Sequence, residues 1–282
     1  MTTAFVLGGG GLLGACEAGM ARALLECGIR PDLVVGTSIG AINGAAIAAD
    51  PTVEGADRLV DMWGRLSDDD VLGGSVLGRL GALLRTRTSL HAPDELGTLL
   101  QQQLPIQRIE DLPVAFECVA ASIERAQEHW FTAGDLVPAV LASCALPGVF
   151  PPVLINGEHY LDGGLVNSIP IARAIAQGAD EIWVLHVGRI EEPLSPPRLP
   201  WEVAFVAFEI ARRHRFNTDL AQVPEGVDVH VLPTGLGDRR PTTWSNLRYR
   251  DRRRIGDRAE VAYQASVDYV RQLGRSRTAE RA

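Results

Sequence analysis

The order of apolar runs predicts an α/β fold with a mainly parallel central sheet covered by helices on both faces. Three observations carry the prediction. Short, largely apolar runs at residues 4–7, 33–35 and 181–187 read as strands buried on both sides. Ala- and Leu-rich segments of helical length alternate with them, as parallel crossovers require. The first two runs each lead through a glycine-bearing turn straight into such a segment, the strand-turn-helix unit from which these sheets are wound.

Taken in order, residues 4–7 form a strand, and Gly8-Gly9-Gly10-Gly11-Leu12-Leu13-Gly14 follows as a loop before a helix to about Glu26. The second strand, 33–35, begins after Asp32 and ends at Gly36-Thr37-Ser38-Ile39-Gly40, with a helix over 39–49. Residues 53–66 read as a surface helix carrying Trp63 and ended by Asp68-Asp69-Asp70. In 71–84, Val76, Leu77, Leu80, Leu83 and Leu84 recur at helical spacing among glycines. That segment has two readings, a helix packed on the core and a mobile apolar flap over an acyl site or lipid surface. Ala92-Pro93-Asp94-Glu95 starts a helix to about Leu104. Strands at 114–121 and 128–132 are joined by a charged turn, and a helix covers 136–143. Residues 142–152, rich in Pro and Gly, form an apolar loop suited to walling a pocket. A strand at 158–161 ends at Asp162-Gly163-Gly164, and helix 171–177 leads to strand 181–187. Pro-rich 191–200 is a surface linker, followed by a helix at 201–220, a strand at 227–232 and a helix at 252–273.

A length of 282 residues with 46% apolar composition supports one domain with a sizeable core. The net charge of −8 argues against nucleic acid as a partner. Cys16, Cys27, Cys118 and Cys144 have no C-x-x-C spacing, so they point to buried thiols and to neither zinc nor a disulfide framework. The first residues show no basic and apolar leader pattern, and no run approaches a membrane span. The expectation is a cytoplasmic protein, soluble or peripheral at a membrane.

The chemistry centres on Ser38. In G-x-S-x-G between a strand and a helix, the backbones crowd two residues either side of the turn, so Gly36 and Gly40 are needed there. Ser38 stands at the helix N-terminus, where dipole and free N–H groups favour developing negative charge. The alternative is an ordinary Gly-Ser turn capping a helix. Gly9-x-Gly11-x-x-Gly14 also fits a dinucleotide fingerprint. That use wants an acidic residue at the end of the second strand, and this one ends in Gly36-Thr37-Ser38. Lying beside the Ser38 turn, the loop instead suits an oxyanion hole of backbone donors. A serine needs a base. Asp162, between a strand and Gly163-Gly164, is the leading candidate, against the reading of a simple Asp-Gly hairpin turn.

Together these stretches resemble the patatin-like phospholipase family. The resemblance rests on Gly8-Gly-Gly-Gly-x-x-Gly14, Gly36-Thr-Ser-Ile-Gly40, Ala142-Ser-x-Ala-x-Pro147 and Asp162-Gly-Gly164, in that order, over about the first two thirds of the chain. It implies a three-layer α/β/α fold and one domain over 1–282, with the recognisable motifs in about 1–190 and a strand/helix extension in 191–282. It further implies a serine lipid acyl hydrolase, of phospholipase A, lysophospholipase or esterase type. The substrates are glycerolipids, phospholipids or other acyl esters, and no metal or cofactor is required.

By position, Ser38 is the expected nucleophile and Asp162 the general base. Gly9, Gly10, Gly11 and Gly14 form the expected oxyanion loop, with Gly10 and Gly11 the foremost donors. A carboxylate is a weak base for an alcohol, so the site should be dry enough to raise its pKa. One position departs from the family, which often has Arg or Lys where this chain has Leu13. Its loss favours neutral esters or lysolipids over strongly anionic lipids.

Two competing functions follow. One is a non-catalytic lipid- or acyl-binding protein on the same fold. The other is a Ser-His-Asp esterase using His186, the histidine placed after Asp162 near a strand end. Arg248, Arg250, Arg252, Arg253, Arg254 and Arg258 read first as a solvated face and second as a contact for anionic membrane.

Overall fold

Side chains alternate along the central strands, and the alternation fixes the layers. In the computed structural model, which describes residues 1–68, 93–187, 193–197, 199–235 and 255–279, β1 is Thr3–Leu7, β2 Leu33–Thr37 and β7 Glu181–Leu185. Phe5, Leu7, Val34, Trp183 and Leu185 enter one apolar cluster. Their neighbours Ala4, Val6, Leu33, Val35, Ile182 and Val184 enter a second. A strand with both faces apolar must be covered twice. Helices α1 (Ala15–Glu26), α2 (Ile39–Ala49) and α3 (Val53–Asp68) supply residues to the first cluster. Helices α6 (Ile171–Ala176) and α7 (Pro200–Ala221) supply the second. The three-layer α/β/α arrangement therefore stands.

Among the described residues the sheet has eight strands, seven in the order β5-β6-β3-β2-β1-β7-β8 with β4 also on β3. Here β3 is Ala115–Ser122, β4 Gln127–Phe131, β5 Val153–Ile155, β6 Glu158–Asp162 and β8 Asp228–Val231. The β1/β2, β2/β3, β1/β7 and β7/β8 pairs are parallel. The β3/β4, β3/β6 and β5/β6 pairs are antiparallel. Strand β5, over residues to which the sequence reading assigns no element, belongs to a hairpin. Its turn is Asn156-Gly157, both at positive φ, the pair such a turn demands.

The register on β3 positions the site. Strand β2 pairs with Ala115 to Val119, and β6 with Ala120 to Ser122. Strand β4 occupies Cys118 to Ser122, which leaves β2 and β6 the other edge. They run toward each other along it and meet end to end, Thr37 opposite Val119 and Asp162 opposite Ala120.

The other helices are α4 (Pro93–Gln103), α5 (Leu136–Ser143) and α8 (Ile255–Ala279). Beyond residue 190, the described elements are part of the packed body. Strand β8 extends the sheet, and α8 lies so close to α1 that a Cβ on Gly19 would sit 2.0 Å from the Ala259 carbonyl oxygen. Residues 71–84, and all of the arginine cluster except Arg258, lie outside the described residues. Cys27 departs from expectation. It is exposed, whereas Cys16, Cys118 and Cys144 are buried, because it caps the C-terminal end of α1. Among the described residues no helix is long and apolar enough to cross a membrane.

Because a carbonyl carbon and oxygen cannot retreat like a side-chain tip, Gly19→Ala must push α8 off α1. Equilibrium urea unfolding should show a loss of about 1–3 kcal/mol.

Candidate active site

Ser38 sits in the turn between β2 and α2 with φ 55° and ψ −123°. A non-glycine residue there is strained, by roughly 1–3 kcal/mol. The elbow glycines explain why the turn forms despite that. A Cβ on Gly36 would lie 2.5 Å from the Gly40 carbonyl oxygen, and one on Gly40 would lie 2.4 Å from the Leu7 carbonyl oxygen. Neither position has space for any side chain.

Several groups hold the strained residue. Its N–H donates to Ser143 Oγ at 2.9 Å, and its carbonyl accepts from the Cys144 thiol at 3.0 Å and from the Ala41 N–H at 2.8 Å. Thr37 Oγ1 donates to the Asn167 carbonyl at 2.8 Å. Thus the Ala142-Ser143-Cys144 stretch, expected only to wall a pocket, clamps the turn through two side chains.

Ser38 Oγ donates directly to Asp162 Oδ2 at 2.6 Å. Asp162 is 2% exposed. Its other oxygen, Oδ1, accepts from the Gly164 N–H at 2.7 Å, and its own N–H is tied to the Ala145 carbonyl at 3.0 Å. Burial pushes its carboxyl up to about 6. The hydrogen bonds from Ser38 and Gly164, and the more distant Arg212 charge, pull the other way. The Gly163-Gly164 step forms no hairpin. It starts a 3-10 turn in which a Cβ on Gly163 would strike the Val119 carbonyl oxygen at 2.2 Å. No imidazole stands between Ser38 and Asp162. His186 is buried just beyond β7, beside Gly8.

The glycine loop lies against the Ser38 turn, where a Cβ on Gly9 would be 3.3 Å from Ser38 Cβ. It is pinned along its length. The Gly8 N–H donates to the Leu185 carbonyl and the Gly9 N–H to the Ser168 carbonyl, each at 2.9 Å. Asn43 Nδ2 donates to the Gly14 carbonyl at 2.9 Å and to Glu17 Oε2 at 2.7 Å, while Trp63 Nε1 donates to Asn43 Oδ1 at 2.9 Å. Glu17 is fully buried, and its carboxyl is held well above the usual carboxylate range by desolvation. Two of the four expected loop residues therefore have other duties. The Gly9 N–H is already engaged, and Gly14 packs where a Cβ would meet Ile39 and Trp63 at 2.6 Å. The expectation of Gly10 and Gly11 as donors is untouched by these contacts, and Gly10 is in extended backbone at φ 172°.

A family model described as patatin-like phospholipase matches residues 5–175, more than half of the chain. The chain belongs to the patatin-like phospholipase family. This patatin-like chain is 34% identical over 194 residues to "Lysophospholipase NTE1" of Phaeosphaeria nodorum, a match covering 66% of this chain and 12% of that protein. With "Lysophospholipase nte1" of Aspergillus terreus it shares 32% identity over the same shares of each. It thus spans only about an eighth of the length of these curated relatives. Among solved structures, it is similar to VipD from Legionella pneumophila at 14% identity and TM-score 0.47, over 95% of this chain and 66% of that one. It is also similar to ExoU of Pseudomonas aeruginosa in complex with SpcU, at 18% identity and TM-score 0.34, over 94% and 52%.

Sequence reasoning missed Ser143, Asn43, Glu17 and Arg212, whose guanidinium reaches the Gly9 carbonyl. Glu17 left a readable signal, one acidic residue among Ala15, Cys16, Ala18 and Gly19. Arg212 left none, being one of several arginines on a long helix.

Replacing the strained residue by the one amino acid that tolerates positive φ should relieve the turn. Ser38→Gly is expected to raise the free energy of unfolding by about 1 kcal/mol, read from thermal and urea melts.

Proposed function

We propose that this patatin-like chain is a serine lipid acyl hydrolase working through Ser38 and Asp162 alone. The observation that carries the proposal is the direct 2.6 Å hydrogen bond from Ser38 Oγ to a buried carboxylate.

An aspartate in water is too weak a base for an alcohol. Burial that lifts Asp162 to about 6 narrows the gap while leaving it ionised at neutral pH. In the first step Asp162 takes the Ser38 proton as Oγ attacks the ester carbonyl, and the carbonyl oxygen becomes an oxyanion. The N–H groups of Gly10 and Gly11 hold that charge. As the tetrahedral centre collapses, Asp162 returns its proton to the departing alcohol and an acyl ester remains on Ser38. Water then attacks this ester, losing its proton to Asp162, and the second collapse releases the fatty acid and restores Ser38. Every proton is conserved between Asp162 and the reacting oxygens, so the cycle requires no metal.

The substrates proposed are acyl esters of glycerolipids. The lysophospholipase names of two relatives support lysophospholipids in particular, as does a loop with Leu13 and no charged residue. The proposal treats residues 1–282 as one catalytic domain, since β8 extends the sheet, α7 seats on Gly9 and Gly164 of the site, and α8 packs on α1. It places the protein in the cytoplasm, with peripheral contact to a lipid surface.

Turnover of p-nitrophenyl butyrate and of lysophosphatidylcholine should vanish in Ser38→Ala with the circular dichroism spectrum unchanged. Retained turnover in that variant would leave the lipid-binding alternative. His186→Ala should keep most activity, and an inactive but folded His186→Ala protein would restore the triad reading. Since Asp162 must be ionised to accept a proton, kcat/KM should rise with pH through an apparent pKa of about 6.

A further inference from the structure

The glycine loop carries no charged residue between Gly8 and Gly14, yet a cation is bound to its backbone. Arg212 of α7 donates from Nη2 to the Gly9 carbonyl at 3.0 Å and from Nη1 to Glu209 Oε1 at 2.8 Å. Its side chain is only 9% exposed. One turn earlier on the same helix, Phe208 lies against Gly164, so close that a Cβ there would meet its ring at 3.1 Å. Residues four apart share a helix face. One face of α7 therefore seats on both halves of the site, the loop through Arg212 and the turn after Asp162 through Phe208.

We propose that Arg212 is the positioning cation of this site, aiming the oxyanion donor of the loop and setting a positive charge beside the turn that carries the base, from a helix outside the catalytic motifs. The proposal rests on the reading of Ser38, Asp162 and the loop given above.

Two physical arguments support it. In a trans peptide the C=O of one residue and the N–H of the next point in opposite directions within one plane. A guanidinium that holds the Gly9 carbonyl therefore fixes the direction of the Gly10 N–H, the proposed donor. Without that anchor, a run of four glycines is free to rotate the peptide.

The second argument is charge. The groups facing Asp162 are the Ser38 hydroxyl from the elbow, the Gly164 N–H from its own turn, the Cys144 thiol from the end of α5, and Arg212 from α7. The thiol stays neutral because burial pushes it well above its ordinary value. Glu17, across the loop, also responds to Arg212, and burial raises its carboxyl well above the usual carboxylate range. Arg212 is thus the positive charge acting on the base, tempered by Glu209, which it shares with Arg213.

The test is the pH dependence of kcat/KM with p-nitrophenyl butyrate, for the full chain and three variants, with Ser38→Ala as the control on the underlying reading. Removing the charge raises the pKa of the base, so Arg212→Gln should move the acidic limb upward by about half to one pH unit. It should also lower kcat about tenfold, less than the 10²–10³ lost with a donor itself. Arg212→Lys keeps a charge and a donor, and should return the limb to the wild-type position with most of kcat. Glu209→Gln leaves the guanidinium uncompensated, and should move the limb downward. The Glu209 variant keeps the test decisive should Arg212→Gln fail to fold. An acidic limb at the wild-type pH in Arg212→Gln, or one unmoved in Glu209→Gln, overturns the proposal whatever happens to Tm. Activity that survives Ser38→Ala sinks the underlying reading first, and this inference with it.

Discussion

Two strands that run head-on along one edge of β3 are the constraint on which the rest depends. β2 arrives from one direction and stops with Thr37 opposite Val119; β6 arrives from the other and stops with Asp162 opposite Ala120. Neither can continue without colliding, so both chains must leave the sheet at adjacent register positions. β2 leaves through the elbow into α2, and β6 through the 3-10 turn at Gly163–Leu165. The first residue past β2, Ser38, and the last residue of β6, Asp162, are thereby forced into contact. The 2.6 Å hydrogen bond between them follows from strand pairing, with no flexible segment needed to bring the groups together.

Such a junction is unfavourable in isolation. It holds a serine at positive φ and a carboxylate away from water, at a cost of roughly 1–3 kcal/mol for the backbone alone. The surrounding structure offsets this by over-determining the position. Ser143 and Cys144 bind the two sides of the Ser38 peptide, Gly164 and Ala145 bind Asp162, and Asn43 and Arg212 hold the loop at Gly14 and Gly9. Beneath them, clusters on both faces of β1, β2 and β7 leave those strands no freedom to shift. Site and core are one piece of packing, which is why the glycines of the elbow answer a structural need and a chemical one together.

The steric part of this arrangement was legible in the sequence. Backbones that approach within contact distance admit only glycine, and Gly36, Gly40 and Gly163 therefore mark both turns in plain letters. The alternation of apolar runs gave the sheet for the same reason, since a twice-covered strand has no polar positions. The electrostatic part was not legible. Ser143 meets Ser38 across 105 residues, and Arg212 meets Gly9 across 203; a contact made by one long side chain imposes no local pattern on either partner. Strand β5 was missed despite its Asn156-Gly157 turn, because prolines on its N-terminal side masked a run of three residues. The end of α1 at Glu26 was readable, and Cys27 is exposed because it caps that end, beyond the last helical turn.

This division has a consequence for how such a site is tuned. The motifs that define the family end within residues 5–175, and they specify the register, the turns and the glycine loop. Arg212 and Phe208 lie beyond that boundary, on a helix whose inner face is set by packing. A change on α7 can therefore alter the field at Asp162 and the aim of the loop without touching any residue that the chemistry itself requires. On the mechanism proposed, the reacting pair is fixed by the sheet, while its working pH range and the set of its oxyanion donor are adjusted from a neighbouring helix. Chains that share the four motifs but differ on this helix face should catalyse with the same pair of oxygens and yet titrate differently.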